Sequence, residues 1–176
     1  MGLILSFLAI VLLVAADQGI KIWAITVLQE KGTMPFLHIG NWKLFDLTYL
    51  ENSGAVFGSF SGQRYLLIGV TSVLILVCLA ALIRYWKESK WLTVCLILMI
   101  SGGIGNLIDR IFRHGHVVDY LDFQLFDFAI FNFADCCVVC GTILLAVYLL
   151  FWEGKPVKKT DVSDASAEDG ESDHAG

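Results

Sequence analysis

"FNFADCCVVCGTILLAVYLLFW", residues 131–152, decides how this chain is read. From Cys136 to Trp152 run seventeen residues without a charge, and a carboxylate, Asp135, stands at the mouth of that run. A helix rises about 1.5 Å per residue, so about twenty residues cross a hydrocarbon layer of about 30 Å. The stretch therefore reads as a membrane-spanning helix entered at Asp135. The carboxylate itself admits three readings: a helix cap, a ligand beside the thiols of Cys136, Cys137 and Cys140, or half of a catalytic pair.

Three further blocks lie upstream. Leu3–Ala16 is broken only by Ser6, and Tyr65–Ile83 and Trp91–Ile108 carry no charge. The first block reaches spanning length only by running past Asp17 towards Trp23. The 176 residues are 57% hydrophobic and 16% charged, with a mean hydropathy of +0.72. A soluble domain of this size carries far more charge. The expected fold class is an all-α membrane protein, a four-helix bundle with helices at about 3–25, 65–84, 91–109 and 135–152. Outer loops fill 26–64 and 110–134, so that residues 1–152 make one membrane domain. Residues 153–176 hold seven acids and three bases, most of the net charge of −5. That segment is small, polar and too poor in apolar residues to fold, so a disordered tail is expected there. "VAA" before Asp17 resembles a cleavage site, but no Lys or Arg precedes it and three more spans follow, so the first helix is read as retained.

Charge orients the bundle. "RYWKESK", 84–90, has three bases and one acid, and Lys155, Lys158 and Lys159 follow the last helix. The positive-inside rule assigns both segments, and the N-terminus, to the cytoplasm. Asp17 and Lys21, at the exit of helix 1, then share the outer face with Asn52, Asn106, Asp109, Arg110, Asp119, Asn132 and Asp135. Ionisable groups at membrane depth are costly and mark function by default. Gly102, Asn106, Asp109 and Arg110 follow one stripe of helix 3, and Gly102, Gly103 and Gly105 let a neighbouring backbone come close. Asp17 and Lys21 are an i,i+4 acid-first pair. Asp17–Lys21 and Asp109–Arg110 also read as ion pairs that fix helix ends.

The thiols and imidazoles offer competing chemistry. Cys136 and Cys137 point about 100° apart on a helix, and no second cluster completes a zinc site. With Cys78, Cys95 and Cys140 they read as packing within the hydrocarbon layer. His114, His116 and Asp119 form a possible metal set that lacks a fourth ligand. A proton-coupled transporter would carry carboxylates near the midplane, on broken helices or repeats. Two carboxylates with neither metal nor thiol suggest an aspartyl hydrolase, in which one group shares its proton with the other. The loop "FLHIGNWKLFDLTYL", 36–50, alternates around Gly40-Asn41 and reads as a hairpin, with Phe36, Trp42 and Phe45 placed to rest on headgroups. Phe123, Leu125, Phe126, Phe128 and Phe131 of the second loop are read the same way, as a lid over the pair.

Five ordered motifs carry a resemblance: "DQGIK" (17–21), "ENSGAVFG" (51–58), "GGIGNLIDR" (102–110), "GHVVDYLDF" (115–123) and "FNFAD" (131–135). Together they resemble the lipoprotein signal peptidases, or signal peptidase II, across residues 3–152. The resemblance implies four helices with a small extracytoplasmic β-cradle in the bacterial cytoplasmic membrane. It implies removal of the signal peptide from diacylglyceryl-modified prolipoproteins, just before the lipidated cysteine. Asp119 and Asp135 would be the catalytic carboxylates. Asn52, Gly54, Asn106, Arg110, Asn132 and Ala134 would position substrate and dyad, and Asp17, Lys21 and Asp109 would hold the architecture. No cofactor, metal, nucleic acid or obligate protein partner is implied; membrane lipids are. Val56 stands where the family more often has Ala.

Overall fold

Each uncharged block lies inside a helix. In the computed structural model, which describes residues 2–54 and 62–152, α1 spans Leu3–Lys31, α2 Arg64–Tyr85, α3 Lys90–Phe112 and α4 Phe133–Trp152. All four are long and apolar enough to cross a membrane. The tail and Val56 lie outside the described residues. Three strands complete the fold: β1 (Met34–Ile39), β2 (Trp42–Asn52) and β3 (Val117–Phe123), in an antiparallel sheet of order β1-β2-β3.

Helix α3 is central and packs against α1, α2 and α4. Its start is set by Ser89, whose Oγ accepts from Leu92 N at 3.4 Å. On its inner half Ile97 and Ile100 pack with Ile10 of α1 and Leu82 of α2. The remaining surfaces of the helices are largely exposed and apolar, as lipid contact requires.

The hairpin forms where the alternation predicts it. Gly40, at φ +59°, takes the first place of the two-residue turn, and Ile39 pairs with Trp42 across it. Two expectations need correction. The loop assigned to 110–134 contains a strand: β3 has its first four residues buried, so it shows none of the half-buried alternation that marks a strand in sequence. Helix α1 runs to Lys31 rather than to residue 25, which places Asp17 mid-helix. Its added turns have a use, since Ala24 and Leu28 pack against Leu47, Val118 and Tyr120 of the sheet. The sheet is thus fastened to α1, and the buried polar residues are caught between two apolar clusters.

Candidate active site

Lys21 anchors the polar layer. Its ammonium has three donors, and all are used: Asp17 Oδ2 at 3.0 Å, Asp109 Oδ2 at 3.0 Å and Asn106 Oδ1 at 2.9 Å. An ammonium can only donate, so the oxygen of the Asn106 amide must face it. That leaves Asn106 Nδ2 to donate to Asp135 Oδ1 at 2.7 Å. Asn106 Oδ1 also accepts from Asn132 Nδ2 at 3.1 Å, and the same Nδ2 donates to Asp119 Oδ1 at 2.6 Å. Two buried amides therefore join Asp119 and Asp135 to one lysine.

The Asp109–Arg110 ion pair expected from sequence is not how these side chains are used. Neighbours on a helix diverge by about 100°, and Asp109 turns instead to Lys21, to Arg113 Nε (3.2 Å) and to Val118 N (3.2 Å). Arg110 turns to the other side, donating to Gly54 O at 3.2 Å and weakly to Asn106 O at 3.4 Å. Its Nε is buried and has no partner among the described residues.

The N-terminus of α4 explains Asp135 in part. Asn132 is the N-cap: its Oδ1 accepts from Asp135 N at 3.0 Å, and Asp135 Oδ2 accepts from Asn132 N at 3.1 Å. This is a reciprocal capping box, with Asp135 at its third position rather than at the cap. The other early N–H groups are met from distant parts of the chain. Phe133 N donates to Tyr120 Oη (3.1 Å) and Ala134 N to Asp17 Oδ1 (3.1 Å). A helix end so fully satisfied is rigid, and it holds Asp135 with it.

Strand register delivers Asp119. Leu50 pairs with Asp119 and Asn52 with Val117, so Asn52 and Asp119 are diagonal neighbours on one face of the sheet. Asn52 Nδ2 donates to Asp119 Oδ2 at 3.0 Å, and Asn52 Oδ1 accepts from Gly54 N at 2.9 Å. Asp119 is 2% exposed. Burial, and then the charge of Asp135, push its carboxyl from 3.8 up to about 7. Asp135 is half-buried and more open to water.

Both carboxylates line a cavity of about 630 Å3. Asn52, Asn106 and Arg110 share its polar end, and α2 and α4 wall it with Leu74, Ile75, Cys78, Val139 and Cys140. The alternative metal set does not assemble. Among the described residues no three His, Cys, Asp or Glu side chains converge to hold a metal ion, and His114 and His116 line a separate pocket. All five cysteines are free, with Cys95 and Cys137 buried.

Residues 9–151 match the Peptidase_A8 family model, described as signal peptidase (SPase) II. The chain belongs to the signal peptidase II family. It has lipoprotein signal peptidase function, of the aspartic type, in a bacterial multi-pass membrane protein. The lipoprotein signal peptidase of Clostridioides difficile is 40% identical over 151 residues, 86% of this chain and 98% of that one. That of Halothermothrix orenii is 39% identical, covering 86% and 97%. A bacterial membrane enzyme solved by the in meso method at 1.9 Å is 28% identical with a TM-score of 0.65, over 83% of this chain and 92% of that one.

Two parts of this candidate site were not singled out in the sequence of this signal peptidase II family member. Gln18 Nε2 bonds Asp17 Oδ2 and Gly105 O, both at 3.1 Å; its signal was its place inside "DQGIK". Tyr120 had no signal, because its hydroxyl meets a backbone N–H that only the fold brings near. Ala134, expected among the positioning residues, is fully buried and supports α4.

Proposed function

We propose that Asp119 and Asp135 are the catalytic dyad of this peptidase, Asp135 as general base and Asp119 as general acid. The observation that carries the reading is the pair of amides, Asn106 and Asn132, which donate to both carboxylates where the apolar cavity opens. Charged Asp135 takes a proton from a water as the water oxygen attacks the scissile carbonyl carbon. Asp119, protonated, hydrogen-bonds the carbonyl oxygen and then gives its proton to the leaving nitrogen as the C–N bond breaks. Asn52 and Gly54 hold the Asp119 side of the site, and Arg110 offers the substrate backbone its Nε, which has no partner among the described residues. Asn132 and Ala134 act from within, and Asp17, Lys21 and Asp109 fix the framework.

The name shared by the relatives supports a prolipoprotein substrate. We take it to be diacylglyceryl-modified and cut just before the lipidated cysteine, since a lipid anchor holds the peptide at the depth of the dyad. The cavity walls suit the apolar segment of a signal peptide. The enzyme is assigned to the bacterial cytoplasmic membrane, with residues 1–152 as its peptidase domain, and the reading calls on no metal or cofactor.

The test is cleavage of a diacylglyceryl-modified prolipoprotein by the purified enzyme. Asp119→Asn and Asp135→Asn keep shape but lose the shared proton, so each should lower turnover by about 1000-fold or more. The double variant should be scarcely worse, because groups acting as a unit are not additive. Asp122→Asn and Asp127→Asn should stay active: Asp122 accepts from Thr48 Oγ1 at 3.1 Å, and Asp127 is exposed. A well-folded, active Asp135→Asn enzyme would reduce Asp135 to its capping-box role.

A further inference from the structure

A second pocket, of about 240 Å3, lies apart from the dyad and is lined by Arg64, His114 and His116 with Ser53, Gly62 and Gly115. It brings together a guanidinium and two imidazoles, with no carboxylate among the described lining residues. Arg64 is held in place: its Nη2 donates to Ile111 O at 2.8 Å, and its stem crosses Gly115, where an added Cβ would meet Arg64 Cγ and Cδ at 3.0 Å. Its Nε is nonetheless buried and has no hydrogen-bond partner among the described residues.

Arg64 also opens α2, a helix of 22 residues whose N-cap, Gln63, supplies no side-chain bond. The first turn of such a helix presents N–H groups and the positive end of the helix dipole. A forked guanidinium and two imidazoles lining one pocket, at the start of a helix, suit one kind of ligand, a tetrahedral oxyanion.

We propose that this pocket binds a phosphate group. The surface around it favours a phosphate carried by a lipid. Tyr65, Ile111 and Phe112, directly beside Arg64 and His114 in the fold, are 84%, 44% and 76% exposed. An apolar, aromatic rim at a membrane interface suits acyl chains below a headgroup. Bound there, the headgroup touches Ser53, between Asn52, which holds Asp119, and Gly54, which Arg110 holds. Lipid occupancy therefore steadies the strand end that supports the active site.

Native mass spectrometry of the full chain in neutral detergent tests this, with three probes: phosphatidylglycerol, the matching diacylglycerol, and inorganic phosphate. Phosphatidylglycerol should be retained by the unaltered chain and by Lys43→Gln, which removes an exposed charge of the hairpin. Arg64→Gln should retain it about tenfold more weakly, through loss of charge-assisted bonds. The His114→Gln/His116→Gln variant, which gives up the His116 Nδ1 contact with Arg113 O at 3.3 Å, should weaken it as well and does not depend on Arg64→Gln folding. Inorganic phosphate that binds alone, or displaces the lipid, with the same dependence on Arg64 identifies free phosphate as the source. Diacylglycerol retained as well as phosphatidylglycerol, or binding unchanged in both variants, overturns the proposal.

Discussion

Asp119 is the residue on which pH should act. Its raised pKa means that the folded chain keeps a proton there that the unfolded chain releases at about 3.8. The sign follows: Asp119 contributes its stability fully below pH of about 4, and that contribution is lost as pH rises through about 7. Thermal melts of the protein in detergent should therefore fall between pH of about 4 and 7 and level off above that, and Asp119→Asn should flatten that slope. If Asp119 is the acid, kcat/KM should also decline on the alkaline side of about 7. A profile flat through pH 8 would remove Asp119 from that role. Asp119 and Asp135 were legible as candidates because they flank one short loop at one membrane face and fall in the motifs "GHVVDYLDF" and "FNFAD". Which one keeps the proton was not, because that depends on burial and on two amides brought in from α3 and from the start of α4.

Between elements, what matters is how closely α3 approaches α1 and α4. A Cβ at Gly105 would lie 2.5 Å from Asp17 Oδ2 and 3.2 Å from Ala134 Cβ. Asp17 cannot retreat, since it holds Lys21 and the first turn of α4. Gly105→Ala should cost about 1–3 kcal/mol, as overpacking does, and should lower activity by tilting α4 and Asp135. Gly103→Ala meets only the end of Ile75, at 3.0 and 3.3 Å, and should be tolerated far better. Equal melting temperatures for the two would show that Asp17 yields. The glycine stripe was legible as a close-approach signal; its partners were not. The four helices were legible from charge-free length, and the hairpin from Gly40-Asn41. Strand β3 and the outer turns of α1 were not, because the sheet and α1 bury each other and neither pattern shows that face alone.

For the molecule as a whole, the decisive quantity is which way it sits in the membrane. The buried polar layer, the sheet and both cavities lie at one end of the bundle; the α2–α3 connection, with Arg84, Lys87 and Lys90, lies at the other. Four spans return the chain to the side on which it began, so α4 ends on the side of that connection, and the sequence after it carries Lys155, Lys158 and Lys159. In the proposed orientation, with positive charge retained in the cytoplasm, Asp119 and Asp135 face outward. A reporter fused after Gly154 should therefore be active only as a cytoplasmic fusion, and one inserted beside Lys43 only as an exported one. The two results are independent, because Lys43 sits in the hairpin and reads the orientation of α1 and α2. A cytoplasmic signal from Lys43 would invert the bundle and put the dyad on the side opposite to the peptides it is proposed to cut.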